Sequence, residues 1–537
     1  MKTNLNVLRA MFGGVCFLTT AGAQAGPLEF HITPIGRFTN DAPFNLSAAE
    51  IVAHDPGTQR LLVVNGRDRR IDVLDIGNPA NPVKVASVDM SPYGAVVNSV
   101  AVHDGLAAVA VEASPKTSPG VVVLLDRNLS VVSVVPAGAL PDMVTFSPDG
   151  RWLLCANEGE PNTYNNFGSE TNGPSIDPEG SITVIDLSTG AANPTVRTAT
   201  FTAFNGGAPA GVRIFGPGAT VAQDLEPEYI AVSADSTTAW VTLQENNALA
   251  VVDIASATVT TLAPLGAKDH SVAGFGLDPS DQDGGINIRP WPIFGMFQPD
   301  SIAAYSYRGD TYLVTANEGE ARADWPGFRD DVRFSTLNLD SNAFPNAAEL
   351  KLTNNLGRLT VSRIDGDTDG DGDLDEVYTY GGRSFTIWSA STGEVVFDSG
   401  DQLEQITAAV FPLNFNASHG NNTRDNRSPA KGPEPEGLAL GKVAGRTLAF
   451  VGLERMGGIA VYDISNPAAP VLEDYVNTRT LASPFNFATA GDLGPEGVIF
   501  ISADDSPNGK PLLAVAHEIS GSVVIYQINK AASKREL

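Results

Sequence analysis

The sequence predicts an all-β fold, a seven-bladed β-propeller closed by an N-terminal strand, with insertions in its third and fifth blades. Three observations support this prediction. A unit of apolar strands separated by turns recurs seven times, no segment shows a long 3.6-residue apolar period, and the last copy stops before a fourth strand. A chain of 537 residues is long enough for one large ring, since all-β domains run long.

The repeat consists of a first strand with an acidic start, a turn, a second strand that ends in Glu, and a third strand of the type Val-x-Asp-Ile. The first strands begin near Ser47, Asn98, Asp142, Glu228, Asp300, Glu436 and Glu496. Alternating apolar runs bounded by Gly, Asp, Asn and Pro are typical of strands. Repeats of ~40–50 residues with four strands each indicate a propeller, because a single blade cannot bury both faces without neighbours.

The final repeat lacks an outer strand of its own. It stops after its third strand near Asn529, and only residues 530–537 remain. The apolar segment Leu28–Phe38 precedes the first repeat and is predicted to take the vacant place. Such pairing would remove an exposed sheet edge and hold the two ends of the chain together.

Two insertions interrupt the repeats. Asn157–Gly180 extends the third blade and Ala321–Gly382 enlarges the fifth. Long loops in an otherwise compact fold are usually functional or disordered. We therefore predict a signal peptide over residues 1–25, a propeller over 26–530 with its larger insertion over 321–382, and a short tail over 531–537.

The first 25 residues predict export. Lys2 and Arg9 precede the apolar run Met11–Ala21, and Ala23-Gln24-Ala25 has the small-x-small pattern of a cleavage site. No later segment reaches the ~20 apolar residues of a membrane-spanning helix. Only Cys155 would remain after cleavage, so an intrachain disulfide is excluded. The mature protein is predicted to be a periplasmic or secreted monomer without a membrane anchor.

The charge balance favours cations as partners. The chain has 62 acidic and 34 basic residues and a net charge of −28, which would repel nucleic acid phosphates and anionic membranes. Acidity also keeps exported proteins soluble, and scattered surface carboxylates need no other explanation. The position of the carboxylates in the repeat therefore has to decide between these interpretations.

The repeat predicts a ring of carboxylates at the central mouth of the propeller. The start of a blade's first strand and the end of its second lie at the same end of the blade, close to the axis. This geometry should bring together Asp142, Glu228, Asp300, Glu436 and Glu496 with Glu112, Glu158, Glu245, Glu318, Glu454 and Glu518. Seven of them, Glu158, Glu228, Asp300, Glu318, Glu436, Glu454 and Glu496, are our candidate metal ligands.

Crowded carboxylates need protons or cations between them, because each raises the pKa of its neighbours. Hard oxygen ligands favour Ca²⁺ or Mg²⁺, and a second divalent or trivalent metal at the mouth is also predicted. The alternative is architectural: these side chains would cap turns and bond the next blade. Glu160 and Glu320, in the twin segments Ala156–Glu160 and Ala316–Glu320, would add ligands together with Asn157 and Asn317.

A calcium loop is predicted inside the fifth-blade insertion. The segment 365–376 places acidic side chains at alternate positions around Gly370 and ends in a glutamate at the twelfth position. The candidate ligands are Asp365, Asp367, Asp369, Asp371, Asp373 and Glu376. The flanks are predicted strands, not the helices of an EF-hand. A solvated acidic turn without specific metal is the alternative.

These motifs also carry a resemblance to a known family. Ala156–Glu160, 268–271, 277–283, 298–300, Ala316–Glu320, 365–376, 382–385 and 431–437 resemble the bacterial choice-of-anchor I family. That family is related to the mesenchyme-specific cell-surface glycoproteins and to cyanobacterial atypical alkaline phosphatases. The resemblance implies an extracytoplasmic, calcium-dependent propeller and, for some relatives, hydrolysis of phosphate esters.

Scarce basic residues next to the acidic motifs are the candidate catalytic groups: Lys268, His270, Arg322, Arg383 and Lys431. Each also has an interpretation as a salt-bridge partner of a nearby carboxylate. The signal for an acid–base pair at His270 or His419 is weak, because no nucleophile motif accompanies either. Two functions follow: a calcium-dependent phosphoester hydrolase, or a non-catalytic calcium-binding surface or matrix protein.

Overall fold

Seven antiparallel sheets form the blades of a propeller in the described part of the chain; each has four blade strands, and the sheet of the sixth blade has a short fifth strand. The computed structural model describes residues 8–9, 29–40, 44–162, 176–322, 329–482 and 484–531. Blade 1 comprises Val52–Asp55, Arg60–Asn65, Arg70–Asp75 and Val83–Asp89, and blade 2 comprises Val96–His103, Leu106–Glu112, Pro119–Leu125 and Val131–Ala139. Blade 3 comprises Pro141–Phe146, Trp152–Asn157, Ser181–Asp186 and Thr195–Thr200, and blade 4 comprises Pro227–Val232, Thr238–Leu243, Ala248–Asp253 and Thr258–Pro264. Blade 5 comprises Ile302–Tyr307, Asp310–Asn317, Ser384–Ser389 and Val395–Asp398, and blade 6 comprises Pro435–Val443, Arg446–Leu453, Ile459–Asp463 and Val471–Asn477. Blade 7 comprises Pro495–Ile501, Leu512–His517, Ser522–Lys530 and Phe30–Thr39.

The blades close into a ring through their first strands. Each first strand contacts a strand of the next blade, and Pro495–Ile501 of blade 7 contacts Val52–Asp55 of blade 1. The first strands therefore lie nearest the axis, as a propeller requires. This arrangement confirms the fold class predicted from the repeats.

Burial changes from the inner to the outer strands of a blade. Leu512–His517, a second strand, is buried at every position because neighbouring blades cover both of its faces. Val83–Asp89, an outer strand, alternates between exposed and half-buried positions. Inner strands therefore appear in the sequence as continuous apolar runs, and outer strands as weak alternating ones.

The N-terminal strand completes blade 7, as the sequence predicts. Phe30–Thr39 pairs antiparallel with Ser522–Lys530, in a register that sets Phe30 opposite Lys530 and Thr39 opposite Ser522. Phe30 and Ile32 point into the core and are 1% and 0% exposed. The amide of Phe30 also donates to Glu473 Oε2 of blade 6 at 2.9 Å, so the strand joins two blades.

An eighth sheet, which the sequence did not predict, lies outside the ring. Its strands run in the order Ala267–Asp269, Phe294–Met296, Tyr378–Thr379, Thr360–Ser362 and Asp331–Arg333. Phe294–Met296 and Tyr378–Thr379 pair in parallel, which joins the segment before blade 5 to the insertion within it. A separate apolar core that includes Trp291, Phe334 and Leu359 supports this sheet.

Helices are few and short. The α-helices are Val221–Asp224, Ala347–Leu350 and Gln402–Val410, and the 3₁₀ helices are Thr202–Phe204, Phe334–Thr336, Leu356–Arg358 and Phe487–Thr489. In the described ranges, no helix has the length and apolarity that crossing a membrane requires. A two-residue strand, Leu8–Arg9, pairs with Val471–Asn477. The rest of the predicted signal peptide, and residues 532–537 of the predicted tail, lie outside the described residues.

Candidate metal centre at the propeller mouth

A cavity of about 580 Å³ opens at the centre of the ring, and acidic side chains dominate its wall. Twelve carboxylates line it: Asp142, Glu158, Glu160, Glu228, Glu245, Asp300, Glu318, Glu320, Glu436, Glu454, Glu496 and Glu518. All seven candidate metal ligands of the mouth are among them. Of the eleven carboxylates that the repeat was expected to bring together, Glu112 is the one that does not line the cavity.

The blade geometry explains why these side chains converge. Pro141–Phe146 pairs antiparallel with Trp152–Asn157, so the start of the first strand and the end of the second meet at one end of the blade. Glu158 immediately follows that second strand, and Glu318 occupies the same place after Asp310–Asn317 in blade 5. A repeated strand order thus turns a sequence pattern into a ring of charge.

Glycine makes the turn after each of these two glutamates possible. Gly159 has φ +74° and Gly319 has φ +90°, a region that L side chains rarely adopt. At Gly319, a Cβ would lie 2.2 Å from the backbone nitrogen of Gly381. The turn therefore fits closely against the start of the next strand, which fixes the backbone beside Glu318.

The side chains of Asn157 and Asn317 form hydrogen bonds within their own blades and do not line the cavity. The Asn157 Nδ2 donates to Thr183 Oγ1 at 3.0 Å, and the Asn317 Nδ2 donates to Thr386 Oγ1 at 2.7 Å. Both asparagines are fully buried. Each amide holds the end of a second strand to the third, so these side chains position the neighbouring glutamates.

One group of mouth carboxylates whose oxygens lie close together is found between blades 3 and 4. Oxygens of Asp142, Glu158 and Glu228 all lie within 4.8 Å of one another. Glu245 faces the same cavity at 6% exposure, and its Oε2 is buried without a hydrogen-bond partner. A buried carboxylate oxygen without a donor is costly, so this group is suited to share a cation.

Burial and mutual repulsion raise the pKa values of the mouth carboxyls. Burial is the largest cause, and neighbouring carboxylates add to it, so that the pKa of Asp142 rises to about 7 and that of Glu318 to about 7. The same two causes raise the pKa values of Glu228 and Asp300 well above their usual range. Near neutral pH, protons and cations therefore compete for the same oxygens.

The buried carboxylate of Glu434, at the edge of the mouth, is surrounded by three basic side chains. It accepts from Arg427 at 2.6 Å and from Arg455 at 3.2 Å, and it lies 3.3 Å from Lys431. Burial alone would raise the pKa of Glu434, but these cations outweigh it and lower the pKa to about 2. Glu434 is not among the site residues predicted from the sequence, although Glu434-Pro435-Glu436 carries a second glutamate just before the predicted strand.

Two of the five candidate catalytic residues lie at the mouth. Lys431 donates to Glu318 Oε1 at 2.7 Å and to Glu320 Oε2 at 3.1 Å. Arg322 lines the cavity and pairs with Asp224 at 2.7 Å. Both side chains thus orient or balance carboxylates, which agrees with their interpretation as salt-bridge partners.

Arg322 also belongs to a stack that leads towards the predicted calcium loop. Its guanidinium lies 4.2 Å from the ring centroid of Phe215, and that of Arg213 lies 3.9 Å from the same ring. Arg213 in turn pairs with the buried Asp330 at 2.6 Å. The mouth and the insertion are therefore joined by stacked and paired side chains.

The other three candidates are buried away from the cavity wall. Lys268 pairs with Asp398 at 2.9 Å, and Arg383 pairs with Glu404 at 2.7 Å. His270 is fully buried, its Nδ1 donates to a carbonyl oxygen at 2.6 Å, and burial lowers its pKa to about 3. The structure thus does not bring these three to the mouth, and a catalytic role for them stays a prediction.

The predicted calcium loop divides its carboxylates between different partners. Asp365 accepts from Arg213 at 2.9 Å and Glu376 accepts from the Tyr378 hydroxyl at 2.5 Å, and among the described residues neither belongs to a group of ligand atoms within 4.8 Å of one another. The remaining candidates fall into two groups, one of Asp367, Asp369 and Asp371, and another of Asp373 with Asp340 and Asp375. Calcium binding in this loop stays a prediction.

We expect calcium to protect the insertion from proteolysis. Local opening exposes the cleavage sites, and an ion that binds only the closed loop lowers the open population by about tenfold when its concentration is ten times its dissociation constant. Tryptic cleavage between residues 329 and 380, followed by mass spectrometry, should slow by that factor. The doubly substituted Asp367→Asn, Asp369→Asn chain should lose the effect, whereas Asp504→Asn, exposed in blade 7, should keep it. Equal cleavage rates with calcium and with chelator would contradict the prediction.

Comparison with known families now places the chain. A family model described as a choice-of-anchor I domain matches residues 50–467, which covers most of the propeller. The chain belongs to the choice-of-anchor I family. This agrees with the resemblance carried by the twin Ala-Asn-Glu-Gly-Glu segments, which supply four of the mouth carboxylates.

Two curated proteins are similar to this choice-of-anchor I chain. Gigasin-3a of Magallana gigas is 34% identical over 184 residues, which is 32% of this chain and 64% of that protein. The mesenchyme-specific cell surface glycoprotein of Strongylocentrotus purpuratus is 30% identical over 301 residues, 50% of this chain and 38% of that protein. The chain thus spans less than two thirds of either relative.

Two solved structures align with nearly the whole choice-of-anchor I chain. Kuenenia stuttgartiensis hydrazine synthase has a TM-score of 0.46 and 13% identity, with 92% of this chain and 98% of that chain covered. The β-propeller domain of Myceliophteria thermophila Cps50 (Swd1) has a TM-score of 0.40 and 9% identity, with coverages of 91% and 98%. The propeller assignment rests on the sheets described above.

Proposed function

We propose that the mouth binds several divalent cations, calcium among them, and that the protein is an exported, metal-dependent hydrolase of phosphate esters. One observation carries this proposal: twelve carboxylates point into a single concave cavity of about 580 Å³. Charge arranged for contact with a flat mineral or a partner would lie on an open surface instead. Concave sites with convergent polar groups are typical of small-molecule binding.

The residues of the chain would divide the work as follows. The group of Asp142, Glu158 and Glu228 would hold cations, and Glu318 in the neighbouring blade 5, fixed by Lys431 at 2.7 Å, would hold another. Cations bound in such a site polarise phosphoryl oxygens and lower the pKa of bound water. Arg322, buried against Asp224, would keep the wall between them rigid.

An extracellular or surface location is part of the proposal. The choice-of-anchor I family and the sea urchin relative, which is called a cell surface glycoprotein, support it. The predicted signal peptide over residues 1–25 agrees with the same location.

The second candidate function is a non-catalytic calcium-binding surface protein. The name of the sea urchin relative favours it, as do the exposed carboxylates of Asp367, Asp369 and Asp371, which do not line the mouth cavity. In that case the mouth cations would stabilise the ring, and the predicted calcium loop would contact the binding partner of the surface protein.

Hydrolysis of p-nitrophenyl phosphate and bis-p-nitrophenyl phosphate by the purified protein separates the two functions. We expect release of p-nitrophenol that depends on added divalent cations and stops with chelator. Glu158→Gln and Glu318→Gln should lower the rate by at least about 10–100-fold, the loss seen even for groups that only orient metal ligands. Glu112→Gln is the matched control, because Glu112 ends an equivalent strand but does not line the cavity.

Two results would contradict the proposed hydrolase site or function. Full activity in both mouth variants would place the chemistry elsewhere on the protein. No activity with calcium, magnesium, zinc or manganese across neutral and alkaline pH, in a protein that still binds calcium, would favour the surface protein.

A further inference from the structure

One wall of the mouth differs chemically from the rest, because a histidine stands there. Of the described residues that line the cavity, His419 is the only histidine. Ligand atoms of His419, Glu454 and Glu518 lie within 4.8 Å of one another, and the Nδ1 of His419 is 3.4 Å from Glu454 Oε1. Glu454 is 4% exposed, whereas His419 and Glu518 are half-buried.

Three separate parts of the chain build this group. Glu454 and Glu518 follow the second strands of blades 6 and 7, which are neighbours in the ring, in the place that Glu158 occupies in blade 3. His419 comes from the loop between Gln402–Val410 and blade 6. The loop thus adds a nitrogen ligand to a pair of carboxylates that the repeat alone would supply.

The contrast with the group between blades 3 and 4 sets the chemistry. Asp142, Glu158 and Glu228 offer only oxygen, with the unpartnered Oε2 of Glu245 beside them, and oxygen-only sites suit Ca²⁺ and Mg²⁺. Imidazole suits zinc, iron, copper and nickel, whose affinity for mixed nitrogen and oxygen sites exceeds that of the hard cations. One cavity therefore contains two groups of ligand atoms whose chemistry suits different cations.

We propose that the mouth is a mixed-metal centre, in which His419, Glu454 and Glu518 bind a first-row transition metal while Asp142, Glu158 and Glu228 bind calcium. This rests on the proposed function, in that the mouth binds cations, and it adds which kind of cation goes where. It also gives the loop before blade 6 a specific task, since without His419 both positions would be of the oxygen type.

Arg455 strengthens the selection for a tightly bound metal. One guanidinium nitrogen of Arg455 lies 2.8 Å from His419 Nδ1, and its Nε lies 2.9 Å from Glu454 Oε2. A metal has to replace these contacts, while Arg455 can keep its ion pair with Glu434 at 3.2 Å. A weakly bound cation such as calcium gains too little from one imidazole to do so, whereas a transition metal bonds that nitrogen directly.

Co²⁺ is a suitable probe, because its visible absorption reports on nitrogen ligands while calcium has no such signal. The metal-free protein is titrated with Co²⁺ in the presence of saturating calcium. We expect a visible band at one equivalent, which Zn²⁺ abolishes and excess calcium does not. His419→Gln should lose the band or bind Co²⁺ at least about tenfold more weakly, and should still bind calcium.

Two variants are the controls. His103→Gln removes a histidine at the end of the first strand of blade 2 that lies away from the mouth, and it should keep the band. Glu228→Gln should weaken calcium binding and leave the Co²⁺ band in place. Thermal unfolding of each variant checks that it is folded, and X-ray absorption of the Zn²⁺-loaded wild-type protein should show a nitrogen ligand at about 2.0–2.1 Å without any substitution.

The proposal is overturned if Co²⁺ gives no band, if the band survives in His419→Gln, or if calcium displaces Co²⁺ one for one. These outcomes are distinct from failure of the proposed hydrolase. A protein that shows the band but hydrolyses neither ester keeps the mixed-metal mouth and loses the activity, whereas one that binds neither calcium nor Co²⁺ loses both.

Discussion

Raising the pH from 5 to 8 in the presence of chelator should lower the thermal stability of this protein markedly. Burial and neighbouring charge raise the pKa values of Glu318 and Glu518 to about 7 and that of Glu50 to about 8, against 4.5 for an unperturbed glutamate. Between these values the folded protein keeps protons that the unfolded chain has released. Stability therefore falls as the pH rises from about 4.5 to the folded pKa, by about 3 kcal/mol for one carboxyl whose pKa moves from 4.5 to about 7.

Calcium should reverse this loss at pH 8 and have little effect at pH 5, because it binds the ionised carboxylates and competes with protons. The measurement is thermal unfolding followed by circular dichroism at both pH values, with calcium and with chelator. The Glu158→Gln, Glu228→Gln chain should show a flatter pH dependence, because two of the repelling charges are removed. A melting temperature in chelator that is equal at the two pH values, or higher at pH 8, contradicts the prediction.

Removal of the N-terminal strand should destabilise the entire ring. A chain that begins at Asn40 loses the pairing of Phe30–Thr39 with Ser522–Lys530 and the burial of Phe30 and Ile32. Those two side chains alone contribute about 3–6 kcal/mol. It also loses the ion pair of Arg37 with Asp492 at 2.5 Å and leaves an unpaired sheet edge.

A chain that begins at Leu28 is the control, and it should melt like the longer protein. We expect the chain from Asn40 to unfold at a clearly lower temperature in one cooperative step, and a synthetic peptide of residues 28–39 should restore part of the loss. If both chains melt together, the strand is dispensable and the closure of blade 7 contributes little to stability.

The repeat made the ring and most of the mouth predictable from sequence. Inner strands are covered on both faces, so each left an apolar run, and Glu158 and Glu318 follow equivalent strands at a fixed place. A local pattern of this kind is visible in one sequence. Because all blades share the same strand order, the position of one strand-end glutamate predicts the positions of the equivalent glutamates in other blades.

The pairings across the insertions were not predictable in the same way. Asp365 fits the spacing of a calcium loop, yet its partner Arg213 lies 152 positions earlier. Asp340 joins Asp373 and Asp375 only because the chain folds back on itself. Contacts of this kind depend on the path of irregular loops, which leaves no periodic signal.

The same limit explains the candidate basic residues. Lys268, His270 and Arg383 are close in sequence to acidic motifs, but each is buried in the structure that joins the insertions to blade 5. The scarcity of basic residues indicated that these three matter. Buried ion pairs account for Lys268 and Arg383, and a buried hydrogen bond to a carbonyl oxygen accounts for His270. Glu434 shows the converse: Lys431 and Arg427 precede it closely in the sequence, but the repeat gave no sign that they and Arg455 would surround it.

Because residues 30–39 pair with residues 522–530, a strand that is made early in synthesis meets its partner last. The earlier blades can form in sequence, but blade 7 has to wait until synthesis is almost complete. Contacts so distant along the chain slow folding. The step that closes the ring therefore comes late in folding.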